Sequence, residues 1–96
     1  MKYYFIAQIK IEDPDEYEKY LEGFDEVFSK YDGAFLVIDE HPEVLEGSWN
    51  YSKFVIVSFN SREDFNAWYF SEGYQEILKH RLKAAKCDTV LAEGLE

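Results

Sequence analysis

Arg81 is the residue of this chain best placed to do chemistry. At about 100° per residue, Tyr74, Ile77, Leu78, Leu82 and Ala85 form an apolar arc centred close to Arg81, with Lys79, Lys83 and Lys86 on the opposite side. An inward arginine has two outlets. It pairs with a carboxylate or backbone carbonyls inside the fold, or it receives an anionic or polar ligand. Tyr69, Tyr74, Trp49 and Tyr51 supply aromatic walls for such a site, and His41 is a weak candidate for a catalytic proton carrier. These residues converge on Arg81 if the segment bearing His41 and Trp49 folds over the helix-covered side of a sheet. The expected ligand-binding set is therefore Arg81, Trp49, Tyr69 and Tyr74. Under the alternative, the aromatics are core and Arg81 is internally paired. His80 lies roughly 130° from the centre of the arc and reads as a solvated surface residue.

Other chemistries lack their residues. Two histidines and one cysteine, with no HxH, HExxH or CxxC spacing, do not compose a metal site, and none is expected. Gly23, Gly33, Gly47, Gly73 and Gly94 are scattered, which removes a phosphate-cradling loop. No serine sits in a nucleophile-elbow context. No cofactor is expected, so purified protein should carry neither stoichiometric metal nor a haem or flavin chromophore. Elemental analysis and a visible absorbance spectrum check this.

Twenty acids against ten bases leave a net charge of −10, which repels nucleic acid and anionic lipid at long range. The 47% apolar and 19% aromatic content is too high for a disordered acidic segment. Cys87 cannot form an internal disulfide and reads as a small buried hydrophobe, which fits a reducing compartment. The apolar run near the N-terminus is cut by Gln8 and Lys10, too short for a signal h-region or a membrane span. A cytoplasmic protein with no nucleic-acid or membrane partner is expected.

The elements that must position Arg81 are written twice. Residues 3–11 lead into Asp13-Pro14-Asp15-Glu16, and residues 54–59 lead into Ser61-Arg62-Glu63-Asp64, an offset of 48 positions in a chain of 96. In each copy a strand-like run ends at an N-cap residue with an acid three positions on. The first helix is expected over 13–31, with Tyr17, Tyr20, Leu21, Phe24, Val27, Phe28 and Tyr31 as its buried stripe and Asp32-Gly33 as a left-handed stop. The second stretch keeps helical period at Phe65, Trp68 and Tyr69, breaks at Ser71-Glu72-Gly73, and resumes to about Lys86. Short β-like runs follow each helix, at 34–38 and 89–92. Another is read at 43–47.

One domain over residues 1–96 with βαβ-βαβ order is a ferredoxin-like α+β sandwich with a four-stranded antiparallel sheet. Both faces of its central strands are apolar. Tyr3, Phe5, Ala7, Ile9 and Ile11 point one way and Tyr4 and Ile6 the other; Val55, Val57 and Phe59 oppose Phe54 and Ile56. The helices cover only one face. A second copy of the chain is expected to cover the other, giving a homodimer joined through sheet faces.

The series Ile9-Lys10-Ile11-Glu12-Asp13-Pro14-Asp15-Glu16-Tyr17, Tyr31-Asp32-Gly33, Val44-Leu45-Glu46-Gly47-Ser48-Trp49 and Trp68-Tyr69-x-Ser71-x-x-Tyr74-Gln75, followed by Arg81 and Ala84-Ala85, resembles the DUF1330 family. The resemblance spans nearly the whole chain. It implies a dimeric α+β barrel, two ferredoxin-like chains packed sheet to sheet, in a family without an established activity. Superfamily relatives include cofactor-independent monooxygenases, haem-degrading enzymes and lactone isomerases. The chain departs from the usual Ser-Pro-Glu-Tyr at Ser71-Glu72-Gly73-Tyr74, which is expected to loosen a helix start. Arg81 is the position that carries over. The resulting reading is a small dimeric protein that binds or transforms a polar or anionic metabolite in a pocket between sheet and helices; the alternative is a non-catalytic structural or regulatory homodimer.

Overall fold

A computed structural model describes residues 1–95. The elements run β1 (Tyr3–Ile11), α1 (Pro14–Phe28), β2 (Gly33–Asp39), β3 (Lys53–Phe59), α2 (Arg62–Tyr69), α3 (Glu72–Ala84) and β4 (Ala85–Glu93). All sheet pairings are antiparallel in the order β2-β3-β1-β4, the ferredoxin-like α+β arrangement.

The helix starts follow from their capping residues. Asp13 accepts from the Glu16 N–H at 3.2 Å, Ser61 from Asp64 N–H at 3.0 Å and Ser71 from Tyr74 N–H at 3.1 Å. Each satisfies a donor that the first helical turn leaves without a carbonyl. The Ser71 cap holds the start of α3, with Glu72 and Gly73 opening its first turn.

Four boundaries differ from the sequence expectation. Helix α1 ends at Phe28, three residues before Tyr31, and Ser29 caps it in right-handed geometry. Gly33 is no left-handed stop, since Gly47 is the one residue with positive φ among those described. Its lack of a side chain answers to space instead: a Cβ there would sit 2.7 Å from ring atoms of both Phe28 and Phe59. Gly33→Ala is therefore expected to cost about 1–3 kcal/mol through overpacking, read by urea denaturation. Residues 85–88, expected as helix end and loop, belong to β4, because pairing of Ala85 with Ile11 and Cys87 with Ile9 wins over local helical period. The run at 43–47 forms no strand.

Helices cover one sheet face. The core between them holds Phe5, Ala7, Ile9, Val55, Val57 and Phe59 from the sheet and Tyr17, Tyr20, Phe24, Phe65, Trp68, Tyr74 and Leu78 from the helices. Trp68 is its centre, 1% exposed, stacked on Phe59 at 5.4 Å and tilted against Tyr74 at 4.2 Å. Cys87 is a free thiol, half-buried against this core.

Helices α1 and α3 pack closely, with Gly23 letting Ile77 approach to within 2.7 Å of where a Cβ would stand. His80 contradicts its assignment to bare surface. Its Nδ1 meets Glu16 Oε2 across the two helices at 2.5 Å, a contact between residues 64 positions apart that no helical wheel displays. The hydrogen bond with His80 holds the Glu16 carboxyl below its ordinary value of 4.5. A depressed folded pKa stabilises above 4.5, and that contribution disappears as pH falls through the folded value. Glu16→Gln should therefore lose less stability than wild type on acidification below pH 4.5, as measured by urea midpoints across pH.

Candidate functional site

Inward-facing residues of β1 and β3 and the buried stripe of α1 do not close completely. Between them lies a cavity of about 220 Å³. Phe5, Ala7, Ile9, Val55 and Val57 form its floor, and Tyr17, Tyr20 and Phe24 its α1 wall. Its exposed lining residues, Leu21, Asp25, Phe35 and Ile38, lie where α1 faces the edge strand β2, so it opens on that side.

Arg81 reaches this cavity from α3. It is 3% exposed, as the apolar arc predicts, and its guanidinium carbon stands 5.7 Å from the Tyr20 ring centroid. None of the ion pairs among the described residues includes it, and its Nε has no hydrogen-bond partner. No carboxylate among the described residues pairs with it; its polar neighbour is the Tyr74 hydroxyl.

The neighbouring hydroxyls do not neutralise it. Tyr20 and Tyr74 share a 2.8 Å hydrogen bond, and burial pushes both phenols above their ordinary value. Burial likewise pushes Tyr17 up to about 12. All three are neutral phenols at physiological pH, while arginine stays protonated there. A buried positive charge thus borders the cavity with no anionic counterpart among the described residues.

Sequence reasoning missed a second cation in the cavity. Lys53 donates to the Tyr17 hydroxyl at 3.2 Å and lies 5.0 Å from that ring's centroid. Burial lowers its pKa from the ordinary 10.5. The signal was present, because Lys53 shares strand parity with Val55 and Val57 and must point toward the helices as they do.

The proposed convergence of aromatics on Arg81 holds only in part. Tyr74 stands behind the cavity, 0% exposed, bonded to the Tyr20 hydroxyl. Tyr69 packs on Phe5, Phe65 and Tyr74 and does not line the cavity. Trp49 and His41 go elsewhere. Trp49 Nε1–H donates to Gln8 Oε1 at 2.9 Å and the Tyr51 hydroxyl bonds Asp88 Oδ2, and both acceptors project from the sheet face opposite the helices. This correction has a simple cause: the loop's polar groups find partners on the outer face, where Gln8 and Asp88 are cross-strand neighbours. His41 is exposed in a shallow groove beside Pro42, Trp49 and Tyr51, its backbone N–H bonded to Asp39 Oδ1 at 2.8 Å.

No group of three His, Cys, Asp or Glu side chains among the described residues is arranged to hold a metal ion. No helix among them is long and apolar enough to cross a membrane.

Solved structures share this fold at low identity. A protein of unknown function from Rhodopseudomonas palustris has a TM-score of 0.81 at 16% identity, covering 99% of this chain and 83% of its own. A dimeric ferredoxin-like protein of unknown function from Jannaschia sp. CCS1 has 0.78 at 12%, covering 98% and 100%. SnoaB, a cofactor-independent oxygenase from Streptomyces nogalater, has 0.70 at 14%, covering 99% and 94%. No curated protein matches the sequence. The DUF1330 family, a domain of unknown function, matches residues 2–95, and the chain belongs to that family.

Proposed function

We propose that this chain binds a small polar or anionic metabolite in the cavity between sheet and helices, and that it works as a homodimer. The observation that carries the first part is the guanidinium of Arg81, buried, without a carboxylate partner, at the wall of a 220 Å³ cavity. Unpaired buried charge is costly, and a fold that keeps it gains most from a ligand that pairs with it. A thermal-shift screen of metabolites tests this. A ligand held at a hundred times its dissociation constant adds about 2.7 kcal/mol, which raises the melting temperature of a domain this size by roughly 10 °C or more. Hits that shift Arg81→Met equally would refute the site.

The dimer is supported by the second sheet face. Tyr4, Ile6, Phe54, Ile56, Val90 and Ala92 alternate with the core-facing residues and so point away from the helices. The neighbour from Jannaschia is dimeric with the same fold. Packing two such faces would hide an apolar patch that soluble monomers seldom tolerate. Light scattering after size exclusion should give twice the 11.4 kDa chain mass. Ile6→Lys, at the centre of that face, should shift the protein to monomer.

A further inference from the structure

We infer that the occupant of the Arg81 cavity is a single-ring aromatic carboxylic acid carrying one further oxygen acceptor; this rests on the reading that the cavity binds a ligand. The polar groups of the cavity are almost all donors. Arg81 and Lys53 bring two cations, and Trp68 Nε1, on a residue of the same wall, is buried without a partner. The phenol hydroxyls already have one partner each. Tyr17 receives the Lys53 ammonium at 3.2 Å, and the Tyr20 oxygen is tied to Tyr74 at 2.8 Å. Asp25, the one acid of the lining, is exposed at the mouth, and the exposed Glu40 acts on Lys53 from outside the lining. A ligand must therefore supply acceptors at two places, with net negative charge.

Size and walls restrict its frame. An apolar cavity of about 150 Å³ accepts benzene, and a water-sized group takes about 30 Å³. The 220 Å³ available thus accommodates one ring, a carboxylate and one more small substituent, and a fused-ring system or nucleotide would have to project through the open side. Phe5, Tyr17, Tyr20, Phe24 and Trp68 present ring faces and edges to this volume, the arrangement that favours an aromatic guest over a flexible chain. Arg81 takes the carboxylate as a planar bidentate partner, and Lys53 takes the second oxygen as a point charge.

Isothermal titration of the whole chain with benzoate, the three monohydroxybenzoates, hexanoate, benzyl alcohol and 1-naphthoate tests the assignment. At least one hydroxybenzoate should bind tenfold or more tighter than benzoate, and benzoate tenfold or more tighter than hexanoate, benzyl alcohol or 1-naphthoate. Arg81→Met should abolish binding of the acids. Lys53→Met should bring the best hydroxybenzoate down to the level of benzoate, and Lys53→Arg should restore its advantage, with far-ultraviolet circular dichroism verifying the fold of each variant. Hexanoate binding as tightly as benzoate through Arg81 would overturn the aromatic class while leaving the cavity a ligand site. A hydroxyl advantage that survives Lys53→Met would overturn the second contact. Failure of every acid to bind would overturn this inference, whereas the broader reading falls only if metabolite hits ignore Arg81→Met.

Discussion

Arg81→Met is expected to abolish ligand binding while leaving the folded chain as stable as wild type, or more stable. Methionine keeps the apolar stem in place beside Tyr20 and removes a charge that no carboxylate among the described residues compensates. Where a buried arginine does serve a buried acid, breaking the pair costs about 3–5 kcal/mol because the acid is left alone. Here no such acid is stranded, and replacing buried ionic groups by apolar ones of similar volume is often neutral or stabilising by about 1–4 kcal/mol. Urea denaturation of both proteins separates the outcomes. A loss near the buried-pair figure would mean that Arg81 supports the fold, and retained binding of a screened metabolite would remove it from the site.

Trp68→Ala is expected to destabilise by about 3–5 kcal/mol, the range for deleting a large buried aromatic. The ring is 1% exposed and contacts Phe5, Phe24, Phe28, Phe59, Phe65, Tyr69 and Tyr74, so no neighbour collapses easily into its place. At roughly 0.05–0.15 kcal/mol per residue, a chain this size has a total stability of about 5–14 kcal/mol, and the substitution removes a large share of it. Trp68→Phe should be much milder. It keeps an aromatic in the cluster and deletes the Nε1–H that has no partner, so the lost volume is partly offset by a satisfied interior. Chemical denaturation that ranks the two variants equally would show that the indole is not the centre of the core.

Local pattern carried most of the architecture. Caps at Asp13, Ser61 and Ser71, the stripe through Tyr17, Tyr20 and Phe24, and the alternation along β1 and β3 are each legible within a few residues, because their physics acts over one helical turn or one pleat. The break between α2 and α3 was visible in the same way. The helix-to-strand switch at Ala85 was not, since a helical period running through Leu78, Leu82 and Ala85 continues on paper where cross-strand pairing with β1 stops it. Leu82, placed in the buried arc by that period, is exposed.

The same division separates what the amino-acid sequence by itself determined from what the tertiary structure alone decided. Spacing sufficed to place Arg81 on the buried side of its helix, and strand parity sufficed to leave a second apolar sheet face without a cover. Which groups would meet that arginine depended on contacts between distant positions. Lys53 reaches Tyr17 across 36 residues, Trp49 reaches Gln8 across 41, Tyr20 meets Tyr74 across 54 and His80 meets Glu16 across 64. None of these pairs shares a period: the packing of α1 and α3 over the sheet brings three of them together, and the segment before β3 folds onto the outer face to bring Trp49 to Gln8. Gln8 and Asp88 on the outer face hold Trp49 and Tyr51 away from Arg81, and the cavity on the helix-covered side is bordered by two cations, Arg81 and Lys53.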